Sequence, residues 1–309
     1  MKIVFMGTPD FSVPVLEGLI DNYNVVGVVT QPDKKIGRKQ EISFSPIKKI
    51  ALENNIKVLQ PIKIREEYQD VLNLEPDMIV TCAYGQIIPK EILDYPKYGC
   101  IHVHASLLPK LRGGAPIHKA IIDGYNKTGI TIMYMDIGMD DGDIISQEEI
   151  IINDSDNLES LHDKLSVMGR DLLLKTLPSI IEGTNERISQ DSNEVTFAYN
   201  IKREEEHISF DKSSREIFNL IRGLSPVPGA NAIIFDNEMK IYESVILDKK
   251  YDNAKCGEIV EVNKEGIIVK TGDGSILITK LKPFGKKMMD ASSYINGMGK
   301  DKLLGQEFK

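Results

Sequence analysis

The sequence predicts an α/β fold: a Rossmann-like, doubly wound and mostly parallel sheet, followed by a small antiparallel β-barrel similar to an OB-fold. Short apolar runs alternate with helical patterns over the first half of the chain, which is typical of a parallel sheet covered on both faces. Short β runs crowd the carboxyl-terminal part, as in small antiparallel barrels. A chain of 309 residues is long enough for two such domains.

The first predicted domain, residues 1–183, begins with a buried strand that ends at Gly7. Ser12 is expected to cap the following helix, and Pro14 is compatible with its first turn. A stripe of leucines predicts a long helix that closes the domain at about Ile181. The predicted strands are Lys2–Met6, Val25–Val29, Val58–Leu59, Met78–Thr81, Ile101–His104 and Ile130–Met135.

Residues 184–206 are polar and weakly patterned, which predicts a linker. The second predicted domain, residues 207–309, opens with a helical pattern around Ile217 and then becomes strand-like. Gly272 and Gly274 flank an aspartate and supply a turn between the last two predicted strands. These strands are Ala232–Phe235, Ile241–Leu247, Glu258–Val262, Ile267–Thr271 and Ile276–Leu281.

Composition is that of an ordinary globular protein, with 41% hydrophobic and 27% charged residues. Cys82, Cys100 and Cys256 are odd in number and far apart, so we expect buried thiols in a reducing compartment. The apolar run at Met1–Met6 is too short for a signal sequence, and no window reaches the roughly 18 apolar residues of a membrane span. We therefore expect a cytoplasmic protein.

The net charge of −8 argues at first sight against a nucleic-acid partner. Its distribution is uneven, because residues 1–205 carry 22 basic and 31 acidic residues, whereas residues 206–309 carry 16 and 15. A basic loop at residues 33–49 interrupts the acidic part, which favours a local RNA contact; a solvated charge run is the alternative. Its basic residues are Lys34, Lys35, Arg38, Lys39, Lys48 and Lys49.

Two common nucleotide-binding motifs are absent. The turn at residues 7–10 occupies the place where a dinucleotide fold would have GxGxxG, but it lacks the glycines that let a pyrophosphate approach the backbone. The sequence also has no P-loop. A nicotinamide enzyme and a nucleotide kinase are therefore disfavoured.

A pair of histidines ends the fifth predicted strand. His102 and His104 are two residues apart, so their side chains share one face of the strand. The carboxyl ends of strands border the ligand crevice of an open parallel sheet. The pair is open to three interpretations: catalysis, metal binding with a third ligand, or a structural role beside a loop.

An acidic, glycine-containing segment at residues 135–143 is the second candidate. It contains four aspartates around two glycines, which predicts a tight loop. The residues alone fit either solvated turn charges or a site for a hard cation, but their spacing is not that of an EF-hand.

The order of these motifs resembles the methionyl-tRNA formyltransferases over essentially the full chain. The motifs are GTPDF at 7–11, TQPD with the basic loop, HASLLP at 104–109, RGGAPI at 112–117, Asp-x-Gly-Asp at 140–143, and FGKKM at 284–288. The resemblance implies an enzyme of protein biosynthesis that uses 10-formyltetrahydrofolate and initiator methionyl-tRNA, without a metal. It further implies a monomer whose carboxyl-terminal domain binds tRNA.

Residue by residue, the resemblance implies that His104 and Asp140 are catalytic. It implies a folate-contacting loop at Ser106, Leu107, Leu108 and Pro109, and tRNA contacts at Lys34, Lys35, Arg38, Lys39, Lys286 and Lys287. His102 occupies a position where the family pattern has Asn, which would hydrogen-bond the formyl oxygen. An imidazole in the correct tautomer, or protonated, can donate that hydrogen bond instead. We therefore expect a centre with two imidazoles, and a pH dependence different from that of the family.

Four alternatives remain at this stage. An amino-sugar nucleotide formyltransferase would share the SLLP and RGxAP motifs, whereas a glycinamide ribonucleotide formyltransferase would lack the second domain. A non-catalytic RNA-binding protein with a degenerate enzyme core would account for the departure at His102. A metal hydrolase would use His102 and His104 as ligands.

Overall fold

The structure of the protein is a computed structural model, which describes residues 1–36 and 41–309. Its contacts divide it into two compact units. The first unit comprises Met1–Pro116, Lys127–Ile151 and His162–Tyr199; the second comprises Ile117–Asn126, Ile152–Leu161 and Asn200–Lys309. Residues 184–199 of the expected linker therefore belong to the first unit, and the domain limits 1–183, 184–206 and 207–309 stay a prediction.

A seven-stranded sheet forms the centre of the first unit, in the order β5-β2-β1-β6-β7-β8-β9. Pairing is parallel from β5 to β7 and antiparallel between β7, β8 and β9. The mostly parallel α/β architecture is thus confirmed. The strands are β1 Lys2–Gly7, β2 Asn24–Val29, β3 Lys34–Ile36, β4 Glu41–Ser43, β5 Lys57–Leu59, β6 Met78–Cys82, β7 Cys100–His104, β8 Lys127–Tyr134 and β9 Ile144–Ile151; β3 and β4 form a separate pair.

Helices connect these strands, and the longest begins at Leu158 and ends at Glu182, close to the predicted end. The helices are α1 Val13–Asn22, α2 Pro46–Glu53, α3 Ile64–Glu67, α4 Gln69–Leu72, α5 Lys90–Leu93, α6 Pro116–Ile122 and α7 Leu158–Glu182. The strands β1 and β6 are buried almost throughout, which is why their sequences read as unbroken apolar runs.

Strand β9 was not predicted. Its first residues are buried, but Gln147, Glu148 and Glu149 occupy its middle, and the two glutamates are exposed. An edge strand with a charged, solvated centre shows neither an apolar run nor a regular alternation. Strand β9 therefore forms because it pairs with β8, and its own residues do not predict it.

The role expected of Ser12 was wrong. Its side chain makes no capping bond to α1, and its hydroxyl instead donates to the carbonyl of Cys82 at the end of β6, at 2.6 Å. Buried polar groups need partners, and this one ties the β1–α1 turn to the neighbouring strand. Cys82 and Cys100 are buried free thiols as expected, whereas Cys256 is only partly buried.

The second unit contains an antiparallel sheet in the order β10-β11-β14-β13-β12, with β15 paired to β14. Ile217 and Ile221 of α8 pack into its core. Its elements are α8 Ser214–Gly223, β10 Ala230–Ile234, β11 Asn237–Leu247, β12 Ile259–Val262, β13 Ile267–Lys270, β14 Ser275–Pro283, β15 Met289–Asp290, α9 Ala291–Met298 and α10 Lys300–Leu303.

The carboxyl-terminal segment 305–309 joins the two edges of this sheet. Ile259 beside one edge exchanges backbone hydrogen bonds with Gly305 and Gln306, at 2.9 and 2.8 Å. At the other edge, Ile233 exchanges two bonds with Lys309, at 2.7 and 2.8 Å. The sheet is thus closed by a short tail, in agreement with the small barrel that the sequence predicts.

Within the described residues, every helix is too short or too polar to cross a membrane.

Candidate active site

Two imidazoles lie at the carboxyl end of β7. His102 and His104 alternate with buried Val103, so both rings lie on one face of the sheet, with centroids 5.7 Å apart. His104 is 3% exposed. Its Nε2 lies 3.0 Å from the carbonyl oxygen of Leu111. Because a carbonyl only accepts, Nε2 carries the proton, and Nδ1 is the unprotonated nitrogen of the neutral ring.

The β8–β9 loop brings Asp140 to both rings. Asp140 Oδ1 lies 3.9 Å from His102 Nε2, and Oδ2 lies 3.7 Å from His104 Nδ1. These distances are too long for hydrogen bonds, so the three groups face a common space without being bonded to one another. Asp140 has φ +49°, a left-handed conformation that aspartate tolerates better than most residues. Gly142 is required nearby, since a Cβ there would lie 2.0 Å from the carbonyl oxygen of Tyr134.

The backbone amide of Gly113 fixes the carboxylate, donating to Asp140 Oδ2 at 2.7 Å. Gly113 has φ +118°, and a Cβ at this position would lie 2.8 Å from the carbonyl oxygen of Ala198. Only glycine therefore allows the chain to pass between Ala198 and Asp140. The second residue of the RGG motif is thus required by the geometry of the site.

Gln190 connects the two loops that meet here. Its side-chain nitrogen donates to the carbonyls of Asp140 and Gly142, both at 2.8 Å. Its side-chain oxygen accepts from Nε and Nη2 of Arg112, at 3.0 and 2.8 Å. One amide thus holds the acidic loop against the loop that follows β7.

Thr81, at the end of β6, holds the other ring. Its hydroxyl lies 2.7 Å from His102 Nδ1, and Thr81 is 1% exposed. The other acceptors within reach of the hydroxyl are the Ile101 carbonyl at 3.4 Å and Met135 Sδ at 3.2 Å. The hydroxyl donates to Nδ1 in one tautomer of His102 and accepts from Nδ1–H in the other. In the tautomer in which the hydroxyl donates, the neutral ring carries its proton on Nε2, which faces Asp140.

Burial decides the charge state of His102. Desolvation, together with the neighbouring His104, lowers the pKa of His102 to about 4, although Asp140 and the backbone of Thr81 act in the opposite direction. Burial opposes ionisation of Asp140 as well, but the two imidazoles, the Gly113 amide and Arg112 outweigh it and lower its pKa. The lowered pKa values favour a neutral His102 beside a carboxylate at neutral pH, and the different pH dependence expected of a centre with two imidazoles stays a prediction.

The predicted folate loop, Ser106–Pro109, is anchored on β8 and β9. Thr131 donates to the Ser106 carbonyl at 2.7 Å and accepts from the Leu108 amide at 3.1 Å, while Gln147 donates to the Leu108 carbonyl at 2.9 Å. Ser106 is fully buried and donates to the Lys110 carbonyl at 2.7 Å, and Leu108 is 3% exposed. Leu107 and Pro109 are the partly exposed members. The loop thus offers these two residues to a ligand, while Ser106 and Leu108 hold its shape.

The predicted tRNA-binding residues occupy separate surfaces. Lys34 is exposed, Lys35 lies in β3, and Lys286 and Lys287 are exposed in the β14–β15 turn. Arg38 and Lys39 lie outside the described residues. Lys48 of the same basic loop is largely neutralised, since its Nζ lies 2.6 Å from Asp33 Oδ2.

The cluster also has metal-like geometry. One ligand atom from each of His102, His104 and Asp140 lies within 4.8 Å of the others. Among the residues that the structure describes, these three form the group whose spacing could hold a metal ion. Asp140 Oδ2 already accepts from the Gly113 amide, however. Asp140 is the third ligand that the metal interpretation of the two histidines lacked in the sequence, and its Oδ1 is the carboxylate oxygen not bonded to Gly113.

The candidate groups of the site were predicted from the sequence, but the residues that hold them were not. The structure brings His102, His104 and Asp140 together, but Thr81 and Gln190 were not singled out. Thr81 lies at the end of a predicted strand, where a polar residue after an apolar run is a usable signal. Gln190 lies in the segment interpreted as a linker, and nothing in its sequence context indicates a contact about fifty residues away along the chain.

Comparisons with known proteins agree on one family. The family model described as formyl transferase matches residues 1–177, and the one described as formyl transferase, C-terminal domain, matches residues 200–299. The methionyl-tRNA formyltransferase of Bacillus cytotoxicus is 55% identical over 301 residues, which covers 96% of each chain.

Two solved structures share the fold. An N-formyltransferase from Helicobacter canadensis, in complex with folinic acid and dTDP-3-aminofucose, has a TM-score of 0.67 and 23% identity, covering 92% of this chain and 100% of its own. A methionyl-tRNA formyltransferase from Clostridium thermocellum has a TM-score of 0.56 and 20% identity, covering 81% of this chain and 95% of its own. At these identities the two structures are evidence for the fold alone.

The low pKa of His102 makes stability depend on pH in a testable way. As pH falls below about 6.5, the unfolded chain binds a proton that folded His102 does not accept until about pH 4, so acidification destabilises the fold. His102→Asn should remove this contribution, flattening the dependence by at most about 1.4 kcal/mol per pH unit. Urea unfolding of both proteins between pH 4.5 and 7.5 measures it. Equal loss of stability in both would contradict a buried neutral His102.

Proposed function

Because this chain belongs to the methionyl-tRNA formyltransferase family, we propose that His102, His104 and Asp140 form the centre at which it formylates methionyl-tRNA in translation initiation. The formyl group comes from 10-formyltetrahydrofolate and goes to the α-amino group of the methionine. One observation carries the assignment. Three titratable groups face a common space at the carboxyl end of β7 without being bonded to each other, which leaves room for a reacting carbon.

The amine attacks the formyl carbon directly in this proposal. An α-amino group has a pKa of about 7.7–8.0, so part of it is unprotonated at neutral pH and no covalent enzyme intermediate is needed. As the new C–N bond forms, the formyl oxygen becomes an oxyanion and the amine nitrogen must lose a proton. The bond between carbon and the folate nitrogen then breaks, and that nitrogen takes up a proton.

The two imidazoles have different duties because each presents a different nitrogen to the common space, Nδ1 of His104 and Nε2 of His102. His104 has its proton on Nε2, bonded to Leu111, so Nδ1 is free to accept a proton from the amine and pass it to the leaving nitrogen. Asp140 stabilises the imidazolium that forms in between. His102 presents Nε2–H to the oxyanion, in place of the amide donor of the family pattern. An oxyanion donor contributes about 100- to 1000-fold in rate, and a positioned base about 100- to 10,000-fold.

Recognition of tRNA is assigned to two surfaces. Lys34, Lys35, Arg38 and Lys39 would reach the acceptor end, and Lys286 and Lys287 of the carboxyl-terminal domain, residues 207–309, would contact the backbone of the stem. Leu107 and Pro109 would contact the folate. The enzyme is proposed to act as a cytoplasmic monomer and to use no metal.

Replacement of His104 tests the assignment. His104→Ala should lower the turnover of methionyl-tRNA by about 100- to 10,000-fold, because the amine loses its proton acceptor. Folate affinity, measured by titration with 5-formyltetrahydrofolate, should change little. A melting curve controls for loss of a buried side chain. Turnover close to that of the wild type would refute the catalytic role, and sensitivity of the wild-type rate to a chelator would point to the metal alternative.

The tautomer of His102 is tested through Thr81. Thr81→Val removes the hydroxyl that directs the proton of His102 to Nε2, so kcat should fall by up to about 100- to 1000-fold, the range of an oxyanion donor. Thr81→Ser keeps the hydroxyl and should retain activity. In a His102→Asn background, Thr81→Val should have little further effect, because the ring it orients is gone. Additive losses would show that Thr81 acts through general packing.

The lysines of the β14–β15 turn are tested by salt dependence. Lys286→Ala with Lys287→Ala should weaken binding of tRNA, and the slope of log affinity against log salt should decrease by about 0.7 to 0.9 for each lost phosphate contact. Lys264, an exposed lysine elsewhere in the same unit, supplies the matched control Lys264→Ala. An unchanged slope in the double variant would refute phosphate contacts at this turn.

A further inference from the structure

Two large aromatic side chains lie exposed and parallel on the first unit. Phe197 and Tyr199 are 48% and 59% exposed, yet their rings stack with centroids 5.5 Å apart and an interplanar angle of 5°. They alternate with buried Ala198, so both project from one side of an extended segment. Rings of this size are usually buried, and an exposed ordered pair is typical of a binding surface.

The segment that carries the rings is bonded to the loop beside Asp140. The amide of Arg112 donates to the carbonyl of Thr196 at 2.9 Å, and the amide of Ala198 donates to the carbonyl of Arg112 at 2.7 Å. The amide of Ala115 donates to the carbonyl of Ala198 at 2.9 Å. Gly113 lies between these paired residues, and its own amide holds Asp140. The aromatic pair is therefore fixed to the same short loop that fixes the catalytic carboxylate.

From this arrangement we infer that the Phe197–Tyr199 pair is a stacking platform for the unpaired nucleobase at the 3′ end of the tRNA acceptor strand. The inference rests on the proposed function, in which the methionine that receives the formyl group is attached to that terminal nucleoside. Flat aromatic faces bind unpaired bases by stacking, with little preference for sequence. The platform is bonded to the loop whose Gly113 amide holds Asp140, which places it next to the centre that the amine of the substrate must reach.

The folate pteridine is the competing occupant, because it is also flat and aromatic. The amide of Thr196 donates to the carbonyl of Pro109 at 3.3 Å, so the segment also touches the predicted folate loop. The three shorter backbone bonds of the segment, however, go to Arg112 and Ala115. These two residues lie on either side of Gly113, whose amide holds Asp140. The nucleobase is therefore the occupant that this placement favours.

Fluorescence of a modified tRNA tests the platform directly. A tRNA with 2-aminopurine as its 3′-terminal base should lose fluorescence on binding the wild-type protein, since stacking quenches this base. Quenching should disappear with Phe197→Leu plus Tyr199→Leu, which keeps apolar volume but removes both flat faces. Phe197→Tyr plus Tyr199→Phe is the matched control and should quench normally. Full quenching by the leucine variant would overturn the inference.

Steady-state kinetics separates the two occupants. The leucine variant should raise the KM for methionyl-tRNA by about 5- to 150-fold, the range expected for loss of one base stack. The KM for 10-formyltetrahydrofolate should stay within a factor of two or so, roughly the scatter of such measurements. A selective increase in the folate KM would overturn the inference in favour of the pteridine, and unchanged values for both substrates would also overturn it.

The failure of the inference is distinguishable from failure of the proposed function. If wild-type protein did not formylate methionyl-tRNA at all, the proposed function would be wrong whatever the variants did. If it formylated the tRNA and the leucine variant matched it, only the platform would be wrong. Equal melting temperatures of the wild type and both double variants exclude unfolding as the cause of a loss.

Discussion

The hydrogen bond from the Gly113 amide to the Asp140 carboxylate is the contact on which the arrangement of the site depends. The carboxylate comes from the β8–β9 loop and the amide from the loop after β7, so this bond at 2.7 Å joins two segments that the sequence separates by 27 residues. Gln190 reinforces the junction from a third segment. A charge-assisted bond of this kind is stronger than a neutral one, and it also lowers the pKa of Asp140. The Gly113 amide therefore both positions the carboxylate and favours its ionised form.

With an ionised Asp140 beside them, the two histidines can take part in the proposed proton transfer and oxyanion stabilisation without a positive charge at the start of the reaction. Burial lowers the pKa of His102 and so favours its neutral form, while the Leu111 carbonyl places a proton on Nε2 of His104. With the Thr81 hydroxyl as the donor to Nδ1, Nε2–H of His102 and Nδ1 of His104 face one space from one strand. A second imidazole in place of an asparagine is thus compatible with the same chemistry, provided that its hydroxyl partner is present.

The position of the site relative to the sheet explains why the surrounding segments matter. Strand β7 is the last parallel strand, and the antiparallel strands β8 and β9 beside it carry the anchors of the loop at residues 106–109. The segment at residues 190–199 lies on the other side of the loop after β7, and it supplies Gln190 together with the exposed aromatic pair. A polar stretch that resembles a linker in sequence is therefore part of the site's framework, and its two aromatic side chains, Phe197 and Tyr199, are exposed.

From the residues alone, the alternation of strands and helices, the antiparallel second part and the candidate site residues could be predicted. Apolar periodicity reports burial directly, whereas His102, His104 and Asp140 were singled out by their place at a strand end and in an acidic loop and by the family resemblance. The tertiary structure alone decided what these residues can do. Contacts between distant segments place Gly113 on Asp140, Thr81 on His102 and Gln190 on both loops, and such contacts leave no periodic signal in a single sequence. Strand β9 was missed, and Ser12 was assigned a wrong role, for the same reason: each is determined by a neighbour in space rather than by a neighbour in sequence.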